Sequence, residues 1–126
     1  EKLGVPVRFE QISAHRHPEK LREVCVNIEK EGIQVVIACA GMAAALPGFI
    51  SSYVNIPVLG VAIKGGMLDG LDEVMSMVSM PKGTAVGCCG VGKSGFINAC
   101  IVALETIALS DEAYKKPMLE FKAAFK

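Results

Sequence analysis

Gln34-Val35-Val36-Ile37-Ala38-Cys39-Ala40 is a continuous apolar run after its first residue, and the fold turns on how it is read. A strand covered by helices on both faces carries no polar alternation, so the run predicts a central strand of a parallel sheet. The flanks agree. Upstream, Pro18 suits the first turn of a helix, where its missing N–H costs nothing. Leu21, Val24, Cys25 and Ile28 follow at helical spacing and Gly32 closes the helix. Before it, Val7 to Ile12 reads as a strand. Downstream, Met42 to Val54 reads as a short helix in which Pro47 is tolerable only near the first turn.

Pro57 to Ile63 is a further apolar strand. Asp69 reads as the N-cap of a helix whose Leu71, Val74, Met75 and Val78 form one apolar face. Pro81-Lys82-Gly83 is a turn, and Thr84 to Cys89 a fourth strand. Lys93 to Leu109 is helical and apolar nearly all round, which predicts burial, including against another subunit. Asp111 caps a last helix whose Tyr114, Met118, Phe121 and Phe125 share a face, with Pro117 placed to kink it. Strands alternating with helices predict a parallel sheet with right-handed crossovers, an α/β/α three-layer sandwich formed as one domain over residues 1–126. Glu1 to Pro6 reads as the tail of a helix, its terminal glycine and the approach to a strand, so a strand and most of a helix are expected upstream of Glu1.

Composition narrows the class. Apolar residues make up 52%, and the 13 glycines bring the total to about 62%, above the roughly 45–50% of ordinary domains. Disorder is excluded, and the excess predicts a sheet buried on both faces, a subunit interface, or both. Thirteen basic residues balance thirteen acidic ones, which argues against a nucleic-acid face and an acidic tail alike. Apolar stretches are interrupted well before the about 18 residues of a membrane span. Cys25, Cys39, Cys88, Cys89 and Cys100 are odd in number and have no C-x-x-C spacing, so they read as reduced core thiols and not as a disulfide framework or zinc site. The expected compartment is the cytoplasm.

Ligands of open parallel sheets bind beyond the carboxyl ends of the strands. Four segments fall there: Ser13-Ala14-His15-Arg16-His17, Gly41-Met42-Ala43-Ala44, Lys64-Gly65-Gly66-Met67 and Gly90-Val91-Gly92-Lys93-Ser94-Gly95. Both histidines, Arg16, Lys64 and Lys93 thus gather on one edge. His15 is the natural general acid/base, since an imidazole titrates nearest neutrality, and Arg16 offers a fork for a phosphate or carboxylate. The alternative is that His15 caps a helix and Arg16 is a solvated charge. His17, directly before Pro18, reads as structural. Gly41 and the small residues after it allow a planar ligand close to backbone N–H groups, or simply a helix packed tightly on a sheet.

Gly87-Cys88-Cys89-Gly90-Val91-Gly92-Lys93-Ser94 fits the phosphate-binding pattern G-x-x-x-x-G-K-[ST] letter for letter. Against nucleotide hydrolysis, no apolar strand ends in the Asp that would hold magnesium, and Cys88 and Cys89 read as strand residues. The 32 residues after Ser94 are also too few to complete a nucleotide-hydrolase sheet.

At these loops the sequence resembles the PurE family of purine biosynthesis, the carboxyaminoimidazole ribonucleotide mutases. The matching segments are S-A-H-R-H-P-E (13–19), A-G-M-A-A-A-L-P-G (40–48), P-V-L-G-V (57–61), L-D-G-L-D (68–72), M-P-K-G (80–83) and G-K-S-G-F-I-N-A (92–99). The last of these accounts for the phosphate-loop match. The resemblance implies a flavodoxin-like fold, a homo-octamer with sites at subunit boundaries, and an isomerase needing neither metal nor organic cofactor. The implied reaction moves a carboxylate from the exocyclic nitrogen of an aminoimidazole ribonucleotide to a ring carbon, through carbon dioxide released and recaptured in a closed pocket. His15 would be the proton shuttle; Ser13, Ala14 and Arg16 would contact the ribonucleotide, and Gly41 and Met42 would line the ring pocket. Lys64, on the neighbouring loop, is a further candidate for substrate binding.

Two positions depart from the family. Its phosphate-binding G-S-x-S-D loop has no counterpart in the sequence, and the usual histidine of A-A-H-L-P-G is Ala45. Three alternatives stand beside the mutase: the direct carboxylase, a lyase using free carbon dioxide; a PurE-like paralogue acting on a related substrate; and a non-catalytic ribonucleotide-binding subunit.

Overall fold

The computed structural model describes residues 3–126. Three strands, β1 (Val36–Gly41), β2 (Val58–Ile63) and β3 (Gly87–Val91), form one parallel sheet in the order β1-β2-β3. Helices α1 (Pro18–Ile28), α2 (Leu46–Ser51), α3 (Leu71–Val78), α4 (Gly92–Ala108) and α5 (Lys115–Ala123) separate and follow them.

Successive side chains of a strand point to opposite faces, and here helices lie on both faces, leaving Cys39 of the edge strand β1 exposed. Ala38 of β1 and Val58 of β2 join Leu21, Cys25 and Ile28 of α1 and Ile50 of α2 in one cluster. Ala40 and Ala62 continue the same face under Met77 of α3. Leu59 and Val61 face the other way, against Ala99 of α4. The result is the three-layer α/β/α sandwich that the apolar runs predict, with α1, α2 and α3 on one side and α4 on the other. β1 and β2 pair from Val36↔Val58 to Gly41↔Ile63, so their carboxyl ends lie level.

Local signals hold where they rest on one residue's stereochemistry. Pro18 and Pro47 each lie in a helix first turn, and Gly32 ends the 3-10 turn Glu29–Glu31 at φ +78°. Gly4 stands at φ +66°, as a helix-terminating glycine does; the helix tail expected before it falls on Glu1 and Lys2, outside the described residues.

Several expectations are corrected. Val7–Ile12 is not a strand: a ladder needs a neighbour, and this segment pairs with no strand among the described residues, leaving Phe9 87% exposed. The helix expected over Met42–Val54 is only Leu46–Ser51, because Met42 and Ala44 take left-handed conformations (φ +56° and +44°) that no right-handed helix admits. The strand expected over Thr84–Cys89 is displaced to Gly87–Val91. Asp69 is not the N-cap of α3, since Gly70 holds that position and the Asp69 carboxylate instead pairs with Lys64 at 3.2 Å. Of the expected face of α3, only Val74 packs partly against the core. Glu73 and Met77 are its buried residues, and Leu71, Met75 and Val78 are exposed. Pro117 falls in the first turn of α5 and does not interrupt it, while Asp111 caps the short 3-10 turn Glu112–Tyr114, accepting from the Ala113 N–H at 3.0 Å. α4 buries Gly95, Ala99 and Leu104 but leaves Phe96 and Val102 exposed in the chain.

Candidate active site

The turn before α1 is built by Ser13. Its carbonyl accepts from the His17 N–H at 2.9 Å and its hydroxyl from the Arg16 N–H at 3.3 Å. His17 is then the N-cap of α1, its carbonyl accepting from the Leu21 N–H, which is the structural role expected of it. The turn after β1 is built differently. Its chain reverses through left-handed Met42 and Ala44, and the Ala44 N–H donates to the Gly41 carbonyl at 3.0 Å.

These two turns face each other across a cavity of about 190 Å³ at the carboxyl end of β1. Ser13, Ala14 and His15 line one side, and Gly41, Ala44, Ala45 and Leu46 the other. Gly41 is needed for backbone reasons, since a Cβ there would lie 2.9 Å from the Ile63 carbonyl oxygen of β2. The cavity thus brings together Ser13, Ala14, His15 and Gly41. It does not include Arg16, Met42 or Lys64. Arg16 is exposed just beyond the turn, the Met42 side chain is 69% exposed, and Lys64 is engaged with Asp69. The His15 imidazole is exposed and makes no hydrogen bond or ion pair among the described residues, which leaves both ring nitrogens able to exchange protons with a bound molecule.

Sequence reading missed Glu73. A glutamate in a helix first turn reads as a solvated partner of the helix dipole. Here it is fully buried behind the Met42 turn, and its Oε1 accepts from the Met42 N–H at 3.0 Å and the Gly66 N–H at 2.7 Å. Beside it, Asp72 Oδ2 accepts from the Met67 N–H at 2.9 Å. Hydrogen bonding with the Glu73 side chain, assisted by backbone N–H groups, holds the Asp72 carboxyl below its ordinary range.

The nucleotide-loop reading does not survive the geometry. Cys88 and Cys89 lie in β3, and α4 begins at Gly92 with no intervening loop to cradle a phosphate. Gly95 serves packing instead, because a Cβ on it would lie 2.5 Å from the Gly90 carbonyl carbon. A larger hollow of about 560 Å³ lies between the C-terminal end of α4 and α5, but among the described residues its lining offers only Glu105, Glu112 and Lys115 as ionisable groups and no imidazole.

An open parallel α/β sheet with a histidine-rimmed hollow at its carboxyl edge defines a class of small-molecule-binding α/β proteins. Comparison with known proteins makes the assignment specific. The AIR carboxylase family model matches residues 1–126. N5-carboxyaminoimidazole ribonucleotide mutase of Haemophilus influenzae is 46% identical over 113 residues, covering 90% of this chain and 69% of that protein. The mutase of Escherichia coli K12 is 40% identical over 124 residues, covering 98% and 73%. That of Pseudomonas aeruginosa is 37% identical over 123 residues, covering 98% and 76%. The chain belongs to the AIR carboxylase family.

Proposed function

We propose that this chain catalyses the carboxyl shift of purine biosynthesis, converting carboxyaminoimidazole ribonucleotide into its ring-carboxylated isomer. The observation that carries the reading is the His15 imidazole standing across a small cavity from the Gly41–Ala45 turn. The N–C bond of the carbamate breaks, its electron pair stays on nitrogen, and His15 in its protonated form supplies the proton. The carbon dioxide set free waits in the cavity. The ring carbon then bonds to it, and neutral His15 takes the proton that leaves that carbon. Each turnover returns His15 to its starting state, so no other proton carrier is required. About 190 Å³ holds a five-membered ring with its carboxylate, while the ribose and phosphate extend outside.

Ser13, Ala14 and Gly41 bound the ring in this reading. Arg16, Met42 and Lys64, which stand outside the cavity, are left to the sugar and phosphate side. The chain acts as one domain, in the cytoplasm, without metal or organic cofactor, and as a homo-octamer. The exposed stripe Leu71, Met75 and Val78 on α3 supports association between copies, and the balanced charge speaks against a nucleic-acid partner. Among the described residues no helix is long and apolar enough to cross a membrane.

A second reading is favoured by Ala45, which lines the cavity where the family usually carries histidine: a paralogue or non-catalytic ribonucleotide-binding subunit. The deciding experiment measures isomerisation of carboxyaminoimidazole ribonucleotide by the full-length protein and by His15→Asn. Loss of a positioned acid/base is expected to lower turnover by about 10²–10⁴-fold. Turnover kept by His15→Asn removes His15 as the shuttle, and none from folded wild type favours the second reading.

A further inference from the structure

Glu73 is the one charged residue fully buried among the described residues. Its two amide partners come from different loops: Met42 from the turn after β1, Gly66 from the loop after β2. A single oxygen therefore ties together two segments that the sheet alone leaves separate. Met42 and Ala44 hold left-handed backbone conformations, which non-glycine residues keep only where their surroundings over-determine them. The bond to Met42 N–H is such a constraint, and the turn it fixes carries Gly41, Ala44 and Ala45, the wall of the cavity opposite His15.

The surroundings of Glu73 are built to the same end. A Cβ on Gly66 would fall 2.0 Å from Asp72 Oδ2, so only glycine lets this loop settle onto the acidic pair. Glu73 Oε2 and Asp72 Oδ1 are buried with no hydrogen-bond partner outside the pair among the described residues. Hydrogen bonding with Glu73 is also the main cause of the lowered titration of Asp72. The helix is turned to bury this carboxyl at the cost of exposing Leu71, Met75 and Val78.

We propose that Glu73 is a positioning residue, a buried clamp that holds the Gly41–Ala45 wall of the cavity at its working distance from His15 by binding the Met42 and Gly66 amides together. The kinetic part of this inference rests on the carboxyl-shift reading; the clamp itself does not. Gln at this position keeps an acceptor oxygen with the same reach. Asp keeps the carboxylate but is one methylene short, and Ala removes the acceptor.

The test compares Glu73→Gln, Glu73→Asp and Glu73→Ala in the full-length protein. For each, kcat and KM for carboxyaminoimidazole ribonucleotide and the hydrogen exchange of the Met42 and Gly66 amides are measured. Glu73→Gln is expected to keep both amides protected and turnover near wild type. Asp and Ala should release both amides and lower kcat by about tenfold to a hundredfold, with KM changing less. If Glu73→Ala does not fold, the Gln and Asp pair still decides. Overturning results are a Gln variant as impaired as Asp, or Asp and Ala variants with free amides and unchanged kcat. Should wild type itself not turn over, the carboxyl-shift reading fails separately. The clamp is then judged by binding of aminoimidazole ribonucleotide: weakened by Asp and Ala but not by Gln if it is right, equal in all variants if it is wrong.

Discussion

Gly95→Ala places one methyl group where α4 packs directly on the backbone of β3. The added Cβ would stand 2.5 Å from the Gly90 carbonyl carbon and 2.7 Å from its oxygen, where ordinary contact begins near 3.4 Å. Both obstacles are backbone, and Gly90 is held in place by the irregular register of β3: Gly60 pairs with Cys88 and Ala62 with Val91, so Cys89 and Gly90 together oppose Val61. No side chain can swing aside, and the start of α4 must retreat by about 0.9 Å. A gap of that order forfeits a quarter to a half of each contact's dispersion well, here among Leu59, Val61 and Ala99. Overpacking of this kind costs about 1–3 kcal/mol, here toward about 2–3 kcal/mol because both obstacles are backbone, and Ala for Gly inside a helix returns about 1 kcal/mol. The expected net loss is about 1–2 kcal/mol, or roughly 4–8 °C in Tm for a chain of this size. Thermal and urea unfolding at fixed protein concentration measure it, with Ser94→Ala, on an exposed position one residue away, as the neutral control. A Gly95→Ala protein as stable as wild type would refute the packing role assigned to this glycine.

Ala45→His returns an imidazole to the wall facing His15 and is expected to raise carboxyl-shift turnover by about tenfold, read by steady-state kinetics; a fall would show that this cavity works without a second imidazole. The lowered Asp72 carboxyl favours the folded state when ionised, so its stabilisation is present above the ordinary value of 3.8 and is lost as pH falls through the lower folded value. Acid titration of stability should show Asp72→Asn less stable than wild type near neutrality, with the two converging at low pH. Burial pushes the thiols of Cys25, Cys89 and Cys100 above 9.0. At pH 8 less than about a tenth of each is thiolate, so alkylation at these three positions should be slow in native protein and become fast on unfolding. By the same linkage their contribution to stability is kept below pH 9 and falls as pH rises further, which melting curves from pH 7 to 10 would detect.

How much of this was legible in the sequence depends on how local each cause is. Prolines 18 and 47 and Gly32 act through their own dihedrals, and each stands where its stereochemistry predicts. Two-faced burial of β2 follows from its unbroken apolar run, whereas β1 at the sheet edge leaves Cys39 exposed. The displaced third strand is different. Thr84 to Val86 is as acceptable a strand sequence as Gly87 to Val91, and the choice is made by pairing with β2, which no local signal carries. α3 is the clearest case. Its apolar periodicity points Leu71, Met75 and Val78 inward, and the need of two loop amides for an acceptor turns Glu73 inward instead. Periodicity records apolar burial but not a hydrogen-bond demand that arises thirty residues away.

From α1 onward the sequence by itself determined the alternation of strands and helices, the layering of the sandwich, and the edge on which His15, Gly41 and Lys64 would gather, because these follow from periodicity and from the direction of a parallel sheet. Only the tertiary structure decided which of them meet. Ser13, Ala14, His15 and Gly41 share a cavity, whereas Arg16, Met42 and Lys64 stand outside it. Where a loop side chain lies is set by backbone dihedrals such as those of Met42 and Ala44, and these are held by contacts with residues distant in the chain.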